Sequence, residues 1–485
     1  MKHAILLLFH KNPQQLIRMM SCFDDDFVFY IHIDRKTELS FSELESIRKA
    51  HPHVHLYSRY KVYWGSIAIL KAELYLLEEI LKHEQCDYIH FMSGQDYPIK
   101  HTEEIKNYFR DYRGYEFIEY MPLPDKRWEH GTYLRFDLYR LNDFMDYHTP
   151  HGCRCIELFN RWQLQWGIRR PVPCQFPRLY GGSNWMSLTT ACARYVMEHR
   201  HKHRAFFRRL RFTFAPDEVY FHTVILNSPF ASRVVNDNRR LICWDGHSGS
   251  PITLTHHHWW EVATSNRLFA RKLDEQISHR LQEYIHRYLL QREKISIGNT
   301  GRWESHTFSG HAYDNGLGQA LLHLLSYVKP TSIADFGCGP GWYVALLRRH
   351  GYDVQGYDGN PTVEFTSSLF FNDGFHCLEA DLTDELESDE PFDLVISLEV
   401  GEHIAPCWEE TYLHNLTRNA GRYILLSWAV ENQLGDGHVN CHSNEYICNQ
   451  MHRLGFLHIP SISRYLRHSA SLWWFKQTIM FFQKQ

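Results

Sequence analysis

No apolar stretch in this 485-residue sequence approaches the roughly 18 residues that a membrane-crossing helix needs. A transmembrane helix is therefore not expected. The 12 cysteines include no C-x-x-C pair, which argues against a disulfide framework and a zinc cage. They are read as mostly reduced thiols. Neither sign of charge dominates: 52 basic and 56 acidic side chains leave a net charge of −4, unlike a dedicated nucleic-acid binder. The dinucleotide fingerprint G-x-G-x-x-G is missing from the one glycine-rich turn that invites it. His256, His257 and His258 are consecutive and cannot share a helix face, so they are not read as metal ligands. Met1 to Phe9 has a lysine and a short apolar core but no small-residue cleavage site, and reads as a buried first strand.

The length suits two to four domains at roughly 150 residues each. The stretch IADFGCGPGWYVALLRRHGYDVQGYD, from Ile333 to Asp358, reads as strand, turn, helix, strand. Gly337, Gly339 and Gly341 allow a bend that a Cβ would block, and Trp342 to Arg349 is a helix. A glycine turn opening onto a helix N-terminus lets a ligand approach bare backbone. Asp358, closing the second strand, is placed to grip ribose hydroxyls.

This D-x-G-x-G-x-G pattern from Asp335 resembles the first motif of class I S-adenosylmethionine-dependent methyltransferases. AlaAspLeu at 380–382 and FDLVISLEVGEHI from Phe392 to Ile404 resemble that family's third and fourth strands. The resemblance implies S-adenosylmethionine as cofactor, bound by Asp335, Gly337, Gly339, Gly341 and Asp358, with Asp381 at the adenine. The loop after LVISLEV offers Glu399, Glu402 and His403 beside the methyl group. Histidine titrates nearest neutrality, so His403 is the expected base, with Glu402 orienting it or contacting the acceptor.

Ahead of this lie alternating strands and helices: Ala4–Phe9, Pro13–Cys22, Phe27–Ile33, Val54–Tyr57, Ser66–Lys82 and Tyr88–Met92. They imply a largely parallel sheet with ligands at its carboxyl ends, where Asp34 and Asp96 are expected. IHIDRK at 31–36, the VYWGSIAILKAELYLLEEIL helix entrance, SGQDYPIK, GGSNWMSLT, APDEVYFHTVI, LICWD and LFARKLD resemble the core-2/I-branching glycosyltransferases, which include peptide O-xylosyltransferases. The resemblance covers about residues 1 to 290 and implies a GT-A-type fold working without a metal; Asp24–Asp26 holds a D-x-D, but ahead of its strand, and is read as a solvated turn. It implies Glu218 as the base, Lys272 on the donor diphosphate, and Glu119, Arg127, Trp128 and Trp244 on the acceptor. Asp217 is expected to be structural or an N-cap, and Asp34 and Asp96 to serve the donor. The partnering phosphate arginine falls in SGSPITLT, which has none, so Arg267 or Arg271 is the expected substitute.

The expected class is α/β, a GT-A-like nucleotide-sugar domain followed by a Rossmann-like class I methyltransferase domain. Boundaries are expected at 1–292, a linker at 293–309, and 310–485. The expected activity is inverting, metal-independent transfer of N-acetylglucosamine or xylose from a UDP-sugar to a glycan, glycolipid or protein hydroxyl, with methylation of the same product. The alternative keeps the glycosyltransferase and makes the carboxyl domain a non-catalytic module that binds S-adenosylmethionine or a partner. No nucleic-acid partner is expected. A cytoplasmic, bacterial setting is expected because no anchor or stem precedes the first strand. The basic run HRHKHRAFFRRLR offers peripheral contact with an anionic membrane, against the plainer reading of a solvated helix face. A long helix from Thr264 to Gln291 is expected to close the first domain.

Overall fold

Runs of buried residues without alternation build the centre of the first sheet. In the computed structural model, which describes all residues except 126–134, 171–177, 247–249, 294–295 and 309, β1 (His3–Phe9) and β2 (Phe27–Ile33) are buried almost end to end. That is the pattern of central parallel strands covered on both faces. The chain forms two units, Met1–His258 with Ser265–Glu283, and Trp259–Thr264 with Tyr284–Gln485.

The first unit continues with β3 (Val54–Tyr57), β4 (Tyr88–Ser93), β5 (Asp96–Pro98), β6 (Glu116–Pro122), β7 (Tyr180–Thr189), β8 (Val234–Val235), β9 (Arg240–Ile242) and β10 (Phe269–Arg271). The main sheet runs β3-β2-β1-β4-β7-β6-β8. Its first four strands are parallel, and β7 is antiparallel to both neighbours. The carboxyl ends of β1 and β2 therefore place His10 and Asp34 on one edge. Helix Ile67–His83 is capped by the Ser66 hydroxyl on the Ala68 amide and buries Leu70, Leu74 and Leu77. Helix Pro13–Met20 turns Leu16, Met19 and Met20 inward, as their spacing predicts.

A second small sheet, β5-β10-β9, corrects one expectation. Phe269–Arg271 is a strand, so no helix runs from Thr264; helical backbone covers only His279–Tyr284 and Ile285–Leu290. Its apolar residues are drawn into the sheet, where Phe269 and Ala270 are fully buried. The basic run also differs. Phe206 is buried and stacks on Tyr220, and Phe207 packs edge-on against the same ring. Both phenylalanines pack against the core, Phe206 buried and Phe207 in part.

The second unit contains β11 (Ser296–Ile297), β12 (Trp303–Glu304), β13 (Ile333–Phe336), β14 (Val354–Asp358), β15 (Leu378–Glu379), β16 (Phe392–Leu398), β17 (Ala420–Ser427), β18 (Phe456–His458) and β19 (Met480–Lys484). Its sheet runs β15-β14-β13-β16-β17-β19-β18, parallel from β15 to β17, with β19 antiparallel to β17 and β18. Helix Asn315–Val328 precedes β13, capped by Asp314 on the Leu317 amide. The apolar SLWWFKQTIMFF is strand only from Met480; Phe475–Thr478 is a short helix. This is an α/β chain in which a mixed seven-stranded sheet is followed by a second, Rossmann-like one.

Candidate active sites

Pro216 turns the first unit's chain into helix Asp217–Leu226, which opens on two acids. Asp217 is buried, and burial, then the charge of Glu218, push its carboxyl up to about 8. It is a neutral acid at neutral pH rather than an N-cap, since Pro216 holds that position and no side chain caps the helix. Glu73, fully inside the Ile67–His83 helix face, accepts a hydrogen bond from Asn184 Nδ2 at 2.8 Å. Burial, then the neighbouring acids Asp217 and Glu218, push Glu73 well above the carboxylate range. Glu218 is 31% exposed, and Arg135 Nη1 donates to its Oε2 at 2.6 Å. Of three clustered carboxyls, the one facing solvent is the one paired with a guanidinium.

Glu119 joins this group through β7. Asn238 Nδ2 donates to Glu119 Oε2 at 2.7 Å and to Ser183 Oγ at 3.3 Å, and the next residue, Asn184, reaches Glu73. A Cβ on Gly182 would collide with the Glu119 carbonyl oxygen, so glycine permits the close pass of β6 and β7 there. Trp244 is 59% exposed just past β9, an open indole face. Arg127 and Trp128 lie outside the described residues.

A cationic group gathers at the carboxyl ends of β1 and β2. Lys272 Nζ donates to Ser250 Oγ at 2.9 Å, and burial, then Arg271 and Lys11, hold its ammonium below its ordinary value. His10 is depressed by burial and then by Lys11, with Lys36 and Lys272 adding to the positive field. Asp34 accepts amide hydrogens from Lys36 and Val62 on Oδ1, at 3.0 and 3.1 Å, while Oδ2 faces Lys36 Nζ at 3.5 Å. It organises this edge as well as facing it.

Three expectations are corrected here. Asp96 does not sit at a strand's carboxyl end; it opens β5, is 1% exposed, and pairs with Arg271 Nη1 at 2.8 Å. Arg271 is buried against it, with its guanidinium 3.6 Å from the centre of the Trp185 ring, so neither residue is presented to a donor. Arg267 is paired with Asp237. Lys11 and Lys36 are the cations that share the field around His10 with Lys272. The Asp24–Asp26 turn is not merely solvated: Asp24 and Asp26 hold the buried Lys106 ammonium at 2.9 and 2.8 Å.

In the second unit, β13 ends in a turn where Gly337, Gly339 and Gly341 have φ of 80°, 54° and 87°. A Cβ on Gly337 would meet Val400, and one on Gly339 would come within 2.8 Å of the His311 ring. The Gly339 amide donates to Asp358 Oδ2 at 2.7 Å and the Asn360 amide to Oδ1 at 2.8 Å. Asp358 thus ties the glycine turn to β14. Asp335, below them, is pushed up to about 8 by burial, then by Asp358. Asp381 Oδ1 accepts the Thr383 amide at 3.0 Å and its hydroxyl at 2.7 Å. Asp335, Gly337, Gly339, Asp358 and Asp381 line a cavity of about 520 Å³, within the range of small-molecule sites, whereas Gly341 lies outside its lining.

The LEVGEH loop lines the same cavity. Glu399 has a φ of 57°, a strained conformation for a side-chain-bearing residue, at the carboxyl end of β16. Burial pushes Glu399 up and, with the charge of Glu399 next, pushes Glu402 well above the carboxylate range. His403 is pushed down to about 4 by burial, then by His438. This removes the near-neutral titration that recommended His403 as a base, because its imidazole holds a proton far less readily than a free one. Where no metal-ligating set is expected from the sequence, the fold brings Glu402, His403 and His438 together, with ligand atoms within 4.8 Å of one another.

A family model for the Core-2/I-Branching enzyme matches residues 4–268, more than half of the chain, and one for a methyltransferase domain matches residues 269–461. The chain belongs to the Core-2/I-Branching enzyme family. Curated relatives include rat Xylosyltransferase 1, 24% identical over 64% of the chain and 36% of the relative. Another is Xylosyltransferase oxt of Drosophila pseudoobscura pseudoobscura, 23% identical over 48% of the chain and 25% of the relative. The chain thus spans about a quarter to a third of the relatives' length. Two solved structures each overlay on 35% of it. Magnesium protoporphyrin IX methyltransferase from Synechocystis PCC 6803 with bound SAH is 17% identical, with 84% of that chain covered and a TM-score of 0.28. SAM-bound CalS10, an amino pentose methyltransferase from Micromonospora echinaspora, is 10% identical, with 92% covered and a TM-score of 0.27. The second family match starts inside β10, which belongs to the first unit's sheet.

Sequence reasoning missed Glu73, Arg135, Lys11, Lys36 and His438. Glu73 had a readable signal, an acid inside the apolar Leu70–Leu74–Leu77 stripe of a helix. Arg135 and His438 had none, since each acts on residues distant in the sequence.

The raised value of Asp217 carries a test. An acid whose folded pKa lies above its unfolded one stabilises the fold while protonated, and that contribution is lost as pH rises from about 4 through 8. Asp217→Asn mimics the protonated form, so thermal denaturation of this variant should lose that slope. Its sugar transfer at pH 7 should stay within about tenfold of wild type, against the losses expected at Glu218. A drop at Asp217→Asn as deep as at Glu218→Gln would make Asp217 an ionised participant.

Proposed function

We propose that this chain transfers a sugar from a UDP-linked donor, xylose or N-acetylglucosamine, to a glycan or protein hydroxyl, and methylates the resulting glycan. The carrying observation is the Glu73–Asp217–Glu218 group, in which buried neutral acids leave Glu218, held by Arg135, as the solvent-facing carboxylate. Glu218 takes the proton of the acceptor hydroxyl as its oxygen attacks the anomeric carbon opposite the leaving UDP. Glu119 and Trp244 hold the acceptor sugar, the tryptophan by stacking. Lys272, with Lys11 and Lys36, balances the charge of the departing diphosphate, which supports transfer without a metal. Asp34 orients the nucleotide edge. The names of the curated relatives weigh toward xylose.

The 520 Å³ cavity would take S-adenosylmethionine, for which Asp358 would hold the ribose, Asp381 the adenine, and the glycine turn above Asp335 the amino acid end. When bound it supplies an activated methyl group, so the protein's task is to position the acceptor oxygen. Linkage of both activities in one chain supports a shared product.

A panel of UDP-sugars, incubated with the purified chain, tests the first step by hydrolysis and by transfer to added glycans. Isotopically labelled S-adenosylmethionine tests the second. The expected result is methyl label in glycan formed in the presence of one UDP-sugar, and little label without it. Label in unmodified acceptor alone would separate the two activities. S-adenosylmethionine binding without methyl transfer to any acceptor would favour a non-catalytic carboxyl module.

A further inference from the structure

The LEVGEH loop and the segment from Gln433 to His438 meet at the edge of the cofactor cavity with one carboxylate and two imidazoles. Glu402 is fully buried beside the Glu399 carboxyl, and neither of its carboxylate oxygens makes a well-formed hydrogen bond. An acid stripped of water and set against a second acid is a costly arrangement that a bound cation would relieve. The histidines are set for the same task. His403 Nδ1 lies 3.3 Å from the Gly437 carbonyl, and His438 Nδ1 lies 3.0 Å from the Gln433 carbonyl. A carbonyl can only accept, so each Nδ1 carries the hydrogen and each Nε2 keeps its lone pair. Imidazoles anchored this way through the far nitrogen are the usual form of histidine ligands.

The support around the set is continuous. Gln433, whose carbonyl takes His438, donates through Nε2 to Glu399 Oε2 at 3.2 Å, and Thr478 Oγ1 donates to Glu399 Oε1 at 3.0 Å. The glycines of the second segment serve close approach: a Cβ on Gly435 would collide with the His438 ring, and one on Gly437 would crowd Ile297 and His403.

We propose that Glu402, His403 and His438 bind one divalent first-row transition-metal ion at the edge of the methyltransferase cavity. Two imidazoles and one carboxylate favour manganese, iron, cobalt or zinc over calcium or magnesium, and leave coordination positions open. The proposal rests on the methyltransferase reading above and deepens it. An acceptor hydroxyl taking an open position becomes more acidic and releases its proton to water. The resulting oxygen attacks the sulfonium methyl group; the C–O bond forms as the C–S bond breaks, and neutral S-adenosylhomocysteine leaves.

The test uses the full chain without an affinity tag, stripped with chelator and titrated with Co2+ alone. The expected result is one tight Co2+ per chain with visible absorption bands of imidazole ligation. His438→Ala, at a partly buried loop residue whose loss should leave the melting temperature near wild type, should weaken that binding by about tenfold or more and remove the bands. Equal binding and spectra in both proteins would place the cobalt elsewhere, at the other histidines of the chain, and overturn the proposal. So would the absence of stoichiometric binding to wild type. S-adenosylmethionine binding to the same wild-type samples separates the two readings. Cofactor binding without cobalt leaves the methyltransferase assignment standing and sinks the metal site, whereas neither ligand binding sinks both.

Discussion

Glu218→Gln should abolish sugar transfer, by roughly two to four powers of ten in turnover, while donor binding and thermal stability stay close to wild type. The substitution keeps the size of the side chain and a carbonyl oxygen that can still accept from Arg135 Nη1. What it removes is the negative charge, and with it the group able to take a proton from the acceptor hydroxyl. Buried, neutral Asp217 and Glu73 cannot replace it, because both hold their own protons against the charge of Glu218. Turnover by Glu218→Gln at the wild-type rate would show that another group is the base. A matching loss of donor affinity would recast Glu218 as a binding residue.

Gly339→Val should eliminate S-adenosylmethionine binding, with affinity falling by at least two powers of ten. Two effects act together. A β-branched residue at a φ of 54° is strained in any surroundings. Its Cβ would also meet the His311 ring at 2.8 Å, on the face where the ligand must approach bare backbone. The amide that ties the turn to Asp358 would be displaced as well. Calorimetry on the full chain, with circular dichroism to confirm the fold, measures the outcome. Cofactor binding at wild-type strength would remove the glycine turn from the site.

Much of the fold was legible because its signals are local. The strand Phe27–Ile33 and the helix Trp342–Arg349 lie where their runs and periodicities put them. Gly337, Gly339 and Gly341 all take the left-handed backbone that only glycine adopts freely, so the turn after β13 was written in the residues themselves. The helix expected from Thr264 failed for the opposite reason. Phe269 and Ala270 suit a buried strand as well as a helix, and only the β5 and β9 neighbours decide between them.

By itself, then, the sequence determined the two folds and most of the order of their elements, and it singled out Glu218 and the glycine turn as candidates. The tertiary structure alone decided which acids are charged. Asp217 and Asp335 are neutral because burial and a neighbouring acid raise them, and Asp96 is taken by Arg271 from a distant strand. It alone turned His403 from a near-neutral base into a neutral imidazole and set His438 beside it. Backbone conformation depends on neighbours along the chain. Protonation and ligand geometry depend on neighbours in space, and on how far water is excluded from them.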